Sequence, residues 1–364
     1  MVHTVLYLVS TLERTGTVAV IKGIVNHLDL KQFRPVIATL SPERQHSCMD
    51  EFKAAGIELV RIDMTRLESM TLGTRRLKEV VHALGADIVH GHEFRPDVLM
   101  AGARLDACTV STIHSMLDYL PVYGGVLGRW MVQSHYRALR HLDAAVAVSA
   151  AVAAAAARHR VASRTIINGV DTGRYRPAAT GPEYVDARAR MGVPANKIVI
   201  LYSGKLISIK RPVELIERFR LSQSEAVLVV AGDGPLGPKC RAAAANADNI
   251  VFLGRRADVP ELLRGADYAI SASVTEGLPM ALLEACAAGL RIIASDIPPH
   301  QEIRSLSPGN VTLFSAGDPA ALERVLKSMH LSPTQRRVDP EVLGKISSLA
   351  MSHAYQALYS ELLN

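Results

Sequence analysis

The sequence predicts an α/β protein built as two doubly wound, Rossmann-like domains facing each other across a cleft, and three observations carry that reading. Apolar strand-sized runs alternate with helix-period segments along almost the whole chain, the pattern of parallel strands joined by crossover helices. The alternation begins afresh near mid-chain, after a stretch rich in glycine, proline and polar residues. The length of 364 residues exceeds one ordinary core and suits two domains of about 150–200 residues each.

Taken in order, the first half offers "TVLYLVS", "FRPVIATL", "ELVRID", "ADIVHGH", "TVSTIHS", "AAVAVS" and "TIINGV" as strands. The opening "MVHTVLYLVSTLERTG" reads as a buried strand, because its apolar run is short and lacks the basic start of a signal peptide. The alanine-rich tract from Ala144 is too short to span a bilayer, and Ser149 divides it into a strand and a capped helix. The second half offers "KIVILYSG", "EAVLVVAGDG", "NIVFLG", "ADYAISAS", "LRIIASD" and "GNVTLFSAG". Between the halves, "NGVDTGRYRPAATGPEYVDARARMGVPANK" lacks a sustained apolar period, which places the seam near Thr172 and the domains at 1–172 and 173–345. The closing "EVLGKISSLAMSHAYQALYSELLN" is helical by period, and topology leads us to expect residues 346–364 to pack back on the first domain.

Composition narrows the partners. Cys48, Cys108, Cys240 and Cys286 lack paired spacing, which disfavours a disulfide framework or a zinc site and fits a reducing cytoplasm. A formal net charge of +6 favours anionic partners: nucleic acid, phosphorylated metabolites or an acidic membrane face. The absence of zinc-finger, RNP-type and KH-type patterns weighs against nucleic acid.

In sheets of this kind ligands bind beyond the C-terminal ends of strands, so the motifs must be sought there. "VTEGLPMALLEACAAG" puts Glu276 at a strand end, the amides of Leu278, Met280 and Ala281 at a helix start, and Pro279 in its first turn. Free amides at a helix start bind phosphate, while Glu284, one turn on, suits hydroxyls. A sugar nucleotide presents both. "ILYSGKLISIKRP" adds Lys205 and Lys210 at the entrance to another helix, two cations able to neutralise a diphosphate, although lone lysines on a loop are more often simply solvated. The Gly-Asp-Gly of "VAGDGPL" reads as turn chemistry, and Arg255 and Arg256 after "FLG" either flank a nucleotide base or lie on the surface.

The stretches "IINGVDTGRYRP", "SGKLISIKRP", "VVAGDGPL", "NIVFLGRRADVPELLRGADYAISAS" and "TEGLPMALLEACAAGLRIIASD", in this order, resemble the donor domain of retaining glycosyltransferases of the GT-B fold, the GT4-like "glycosyl transferases group 1" family. The resemblance implies Glu276 near the donor sugar, Glu284 on the ribose, Lys205 and Lys210 on the diphosphate, and backbone contacts from Gly277, Leu278, Pro279 and Met280. Arg256, at its strand end, is counted among the donor-binding candidates. The family often has arginine at Lys205, so bidentate phosphate contact is lost there. In the first domain, Gly16 resembles the family's glycine loop, with Thr17 where a second glycine is commoner. His114 in "STIHSML" matches a histidine beside the donor sugar. His90 and His92 have a spacing compatible with a metal but only Glu93 nearby as a third ligand, and the stretch also resembles a strand end lining the cleft.

The family implies front-face transfer in which the leaving diphosphate takes the acceptor hydroxyl's proton. No cofactor or metal is then required, because lysines and helix amides stabilise the leaving charge. The donor is expected to be a UDP-sugar and the acceptor a glycan or lipid-linked intermediate of bacterial surface polysaccharide such as lipopolysaccharide. The protein is expected in the cytoplasm, at the inner face of the membrane. "YLPVYGGVLGRWMVQSHYRALRHLD" mixes Arg129, Arg137, Arg140, His135 and His141 with Trp130, Met131, Tyr136 and Leu139. It fits an anionic membrane surface or a lipid-linked acceptor, and equally a core helix with a basic outer face. Two other readings stay open beside transfer: a GT-B epimerase, and a regulatory subunit that binds sugar nucleotide without turnover.

Overall fold

The computed structural model describes residues 1–43, 46–117, 125–318, 320–329 and 338–364. The chain divides into two compact units, Met1–Gly169 with Ser348–Asn364, and Val170–Ser347.

The first unit is a seven-stranded parallel sheet: β1 (His3–Val9), β2 (Phe33–Thr39), β3 (Glu58–Arg61), β4 (Ile88–His92), β5 (Cys108–Ile113), β6 (Ala144–Ala147) and β7 (Arg164–Thr165), in the order β3-β2-β1-β4-β5-β6-β7. The central strands are continuous apolar runs because helices cover both faces. The chain reverses direction across the sheet between β1 and β4, which opens a crevice at their C-terminal ends. The edge strand β7 is two residues long, shorter than the "TIINGV" run suggested: the buried Ile166 adds one last bond, its amide donating to the Ala147 carbonyl at 3.0 Å, and the chain then leaves the sheet.

The helix Ser348–Leu363 belongs to this unit. Its apolar side packs on the helix Gly16–Val25, where a side chain at Gly23 would meet Met351. Polar contacts fix its register: Ser352 donates to the Ile24 carbonyl at 2.8 Å, and the Thr112 and Tyr355 hydroxyls share a hydrogen bond of 2.8 Å. His90, fully buried in β4, is held by the Tyr359 hydroxyl at 2.7 Å and Thr112 Oγ1 at 2.8 Å. Burial lowers its pKa to about 3, so it is neutral.

The second unit is a six-stranded parallel sheet: β8 (Val199–Ser203), β9 (Val227–Ala231), β10 (Ile250–Gly254), β11 (Tyr268–Ser271), β12 (Arg291–Ser295) and β13 (Val311–Phe314), in the order β10-β9-β8-β11-β12-β13. Its reversal lies between β8 and β11. At the opposite end of those strands, Arg188 is buried and donates to Asp267 Oδ2 at 2.6 Å and to the carbonyls of Pro194, Ala195 and Lys197. Asp267 also accepts from the Val199 amide at 2.8 Å, so one ion pair clamps β8 to β11. Arg188 lies on a helix, Gly181–Met191, inside the stretch that the sequence suggested was plain linker. Thr180 caps that helix, and Gly192 ends it in the left-handed conformation. Its inner face escapes an apolar pattern because it is short and one of its buried positions is an arginine. Among the described residues, no helix is long and apolar enough to cross a membrane.

Candidate functional site

At the reversal of the second sheet, the loops after β8 and β11 meet. Gly204 follows β8, and its amide donates to the Ala231 carbonyl at 3.1 Å, while the Leu206 amide donates to Asp233 at 2.9 Å. A Cβ at Gly232 would collide with the Gly204 carbonyl. The Gly-Asp-Gly turn is thus needed where it stands, because the lysine loop lies directly against its backbone. A 3-10 turn, Ser208–Lys210, and a left-handed Arg211 lead into the helix Pro212–Leu221. The Val274 amide donates to the Ile209 carbonyl at 2.9 Å and ties this loop to the one after β11.

Lys210 Nζ donates to Glu276 Oε1 at 2.7 Å, and Ser273 Oγ donates to the same oxygen at 2.7 Å. Burial alone raises the pKa of Glu276, but the Lys210 ammonium and these hydrogen bonds outweigh it, so the carboxyl is held below its usual value and stays ionised. His300 stands behind, fully buried, with Nδ1 on the Ser295 carbonyl at 2.8 Å. Lys210, Glu276, Ser271, Ser273 and Pro279 line one pocket. Gly277, Leu278 and Pro279 are buried beside it, and the helix Met280–Ala287 begins there. Pro279 is the residue before that helix rather than part of its first turn: its φ and ψ are extended, and its carbonyl accepts the first helical bonds from Leu282 and Leu283.

Glu284, half-buried in the same helix, has its pKa pushed up to about 7 by burial, against the lowering influence of the Tyr175 hydroxyl and Arg174. Tyr175 was not singled out in the sequence, since the loop carrying it lies far from Glu284 along the chain. Lys205 is exposed on its loop. Arg256 is engaged by Asp258 in a bidentate pair at 2.7 and 2.5 Å, a local use that competes with reading a base.

The reversal of the first sheet has its own polar cluster. Thr15 caps the helix that starts at Gly16, accepting from the Val18 amide. Thr17 Oγ1, in the first turn, donates to Glu93 Oε1 at 3.1 Å. Glu93 directly follows β4, exposed, with φ 81° and ψ 173°, a combination that costs a residue with a side chain about 1–3 kcal/mol. Gly91 is required where it is, because a Cβ would collide with Met100 and Asp97. His92, fully buried, shares a hydrogen bond of 2.9 Å with Nε2 of His114 at the end of β5. Burial lowers the pKa of His114 to about 4, so the pair is neutral. Both nitrogens of His90 are already committed within the fold, which takes it out of any metal set with His92 and Glu93.

The helix Gly125–Leu139 carries most of the basic stretch and has a buried side and an exposed one; the part of that stretch before Gly125 lies outside the described residues. His135 is buried and hydrogen-bonds Asp97 Oδ2 at 2.7 Å, while Tyr136 and Leu139 join the core. Arg129, Arg137 and Arg140 are exposed, together with Val126, Leu127 and Trp130 at 79%, 70% and 61%.

Two parallel Rossmann-like sheets, with a lysine and glutamate pair at the reversal of the second, define a glycosyltransferase of the GT-B class. The chain belongs to the GT4-like family: Glycosyltransferase Family 4 matches residues 14–174 and Glycosyl transferases group 1 matches residues 186–340. Among curated relatives it is 30% identical over 194 residues to EpsD of Bacillus subtilis (strain 168), covering 51% of this chain and 50% of that one. It is also 30% identical over 141 residues to the UDP-Gal:alpha-D-GlcNAc-diphosphoundecaprenol alpha-1,3-galactosyltransferase of Escherichia coli, covering 36% of each. The chain thus spans about half the length, or less, of these curated relatives. Among solved structures, Anabaena Alr3699/HepE in complex with UDP and glucose aligns with a TM-score of 0.78 at 16% identity, over 99% of this chain and 100% of that one. Sucrose-phosphate synthase of Thermosynechococcus elongatus aligns with a TM-score of 0.80 at 17% identity, over 99% of each. At those identities the likeness speaks for the fold.

Proposed function

We propose that the protein is a retaining, metal-independent glycosyltransferase that moves a sugar from a nucleoside diphosphate, UDP by preference, to a hydroxyl of a glycan or lipid-linked acceptor in bacterial surface polysaccharide synthesis. The observation that carries this reading is the Lys210–Glu276 pair at the β8/β11 reversal, in a pocket beside a helix start. The ammonium and the helix amides bind the diphosphate and stabilise the charge that grows on it as the sugar leaves. Glu276, kept ionised, accepts hydrogen bonds from sugar hydroxyls, and Glu284 does so from the ribose. His114, neutral, is the first unit's candidate for a sugar contact. UDP is favoured because the E. coli relative is named for UDP-Gal and the Anabaena structure holds UDP. The exposed apolar and basic residues of Gly125–Leu139 support residence at the inner face of the cytoplasmic membrane.

A thermal-shift screen against UDP, GDP, ADP and their sugars, with and without EDTA, tests the donor site, since a ligand that prefers the folded state stabilises it. A selective rise in Tm unaffected by EDTA is expected. Lys210→Ala should weaken UDP binding about 10- to 100-fold by calorimetry, the loss of one charged hydrogen-bonded contact. Glu276→Gln should lower turnover with little change in UDP affinity. Unchanged affinity in the first variant removes Lys210 from the phosphate site.

A further inference from the structure

We infer that Glu93 positions the acceptor, its carboxylate accepting a hydrogen bond from an acceptor hydroxyl at the reversal of the first sheet. The inference rests on the glycosyltransferase reading and adds a residue on the acceptor's side.

Backbone geometry gives the first reason. Among the described residues, seven other non-glycine residues have positive φ, all between 44° and 59°, in the ordinary left-handed region. Glu93 alone lies outside it, at φ 81° and ψ 173°, a conformation that essentially only glycine adopts without strain. Glycine would serve there if only a tight turn were needed. Nor does the side chain cap the helix Phe94–Ala103 that it precedes, the usual structural use of a carboxylate in that place.

What the strained backbone achieves is placement. The carboxylate is exposed at the end of β4, beside β1, in the crevice where sheets of this topology receive ligands. Thr17 Oγ1 reaches it from the first turn of the helix that follows β1, and the preceding residue, His92, shares a hydrogen bond with His114 just beyond β5. The neighbouring residues His92 and Glu93 thus tie the end of β4 to the elements that follow β1 and β5. A carboxylate only accepts hydrogen bonds, so it suits a hydroxyl and repels a diphosphate. That assigns Glu93 to an acceptor hydroxyl rather than to the donor's phosphates.

The test uses the full chain with Glu93→Gln, which keeps size and removes charge, and Glu93→Gly, which also releases the backbone. The donor is the nucleotide sugar that raises Tm in the screen, and the acceptors are the octyl glycosides of glucose, galactose, mannose and N-acetylglucosamine. Transfer should fall at least about tenfold in both variants, through a raised acceptor KM, while UDP affinity and donor loss to water stay within about twofold. Glu93→Gly should also raise Tm. Unchanged transfer overturns the inference, as does donor loss to water falling in step with transfer, which would put Glu93 on the donor sugar. A Glu93→Gly variant of lower Tm overturns it by giving the backbone a folding role. Wild-type protein that hydrolyses donor but glycosylates none of the four glycosides overturns this inference alone. Absence of any nucleotide response sinks the donor reading and this inference together.

Discussion

Glu284 carries two opposed demands. A carboxyl taken out of water prefers its proton, and here that preference moves the pKa to about 7; ribose hydroxyls, as donors, need the anion. Binding of a nucleoside diphosphate should therefore release a proton from Glu284 and strengthen as pH rises through about 7. Affinity for UDP at pH 6 should be about tenfold below its plateau at pH 8 to 9, and Glu284→Gln should flatten the profile. The sign for folding is opposite. With a folded pKa above the unfolded one, the native state binds the extra proton between the two values, so this residue's contribution to stability declines as pH rises from about 4 to about 7. Glu284→Gln should accordingly raise Tm at pH 8 and leave it nearly unchanged near pH 4. The spacing of Glu276 and Glu284 was legible in the sequence because one strand end and one helix turn set it. Tyr175, Ser273 and the strained Glu93 were not, since nothing local announces a partner supplied by another loop or a backbone angle.

Among the elements, the helix Gly125–Leu139 divides its length between two environments. Its C-terminal half enters the core through His135, Tyr136 and Leu139, while Val126, Leu127 and Trp130 stand in solvent on successive turns beside Arg129. Tryptophan among cations, with no acid in the helix, matches an anionic lipid surface. Co-sedimentation with phosphatidylglycerol vesicles should exceed that with phosphatidylcholine. Changing Leu127 and Trp130 together to glutamate should weaken it about tenfold or more, each buried side chain being worth about 1.5–3 kcal/mol. Unchanged sedimentation would assign the patch elsewhere. Most elements were readable from apolar runs alone. The helix Gly181–Met191 was hidden because Arg188 interrupts its inner face, and a buried arginine looks polar until the carbonyls it meets are known.

At the scale of the molecule, each unit closes its own core around its own sheet, and in the second unit one ion pair sits where β8 and β11 join. Arg188→Met would leave Asp267 and three carbonyls without their cation, a loss of about 3–5 kcal/mol. Hydrogen exchange should then speed up in β8 and β11 while amides of β1 and β4 keep their protection; equal loss in both sheets would show that the units unfold as one. The alternation of strands and helices announced both sheets, yet the assignment of the closing helix to the first unit depends on contacts such as His90 with Tyr359 that no local pattern contains.

That closing helix has a consequence for how the chain is made. A ribosome releases residues in order, so Val170–Ser347 is synthesised in full before Ser348–Leu363 emerges to cover β4 and the helix Gly16–Val25. Until then the newborn first unit holds His90 and Tyr7 without the tyrosine that links them, and its apolar flank is open to chaperones. The part made first is therefore finished last.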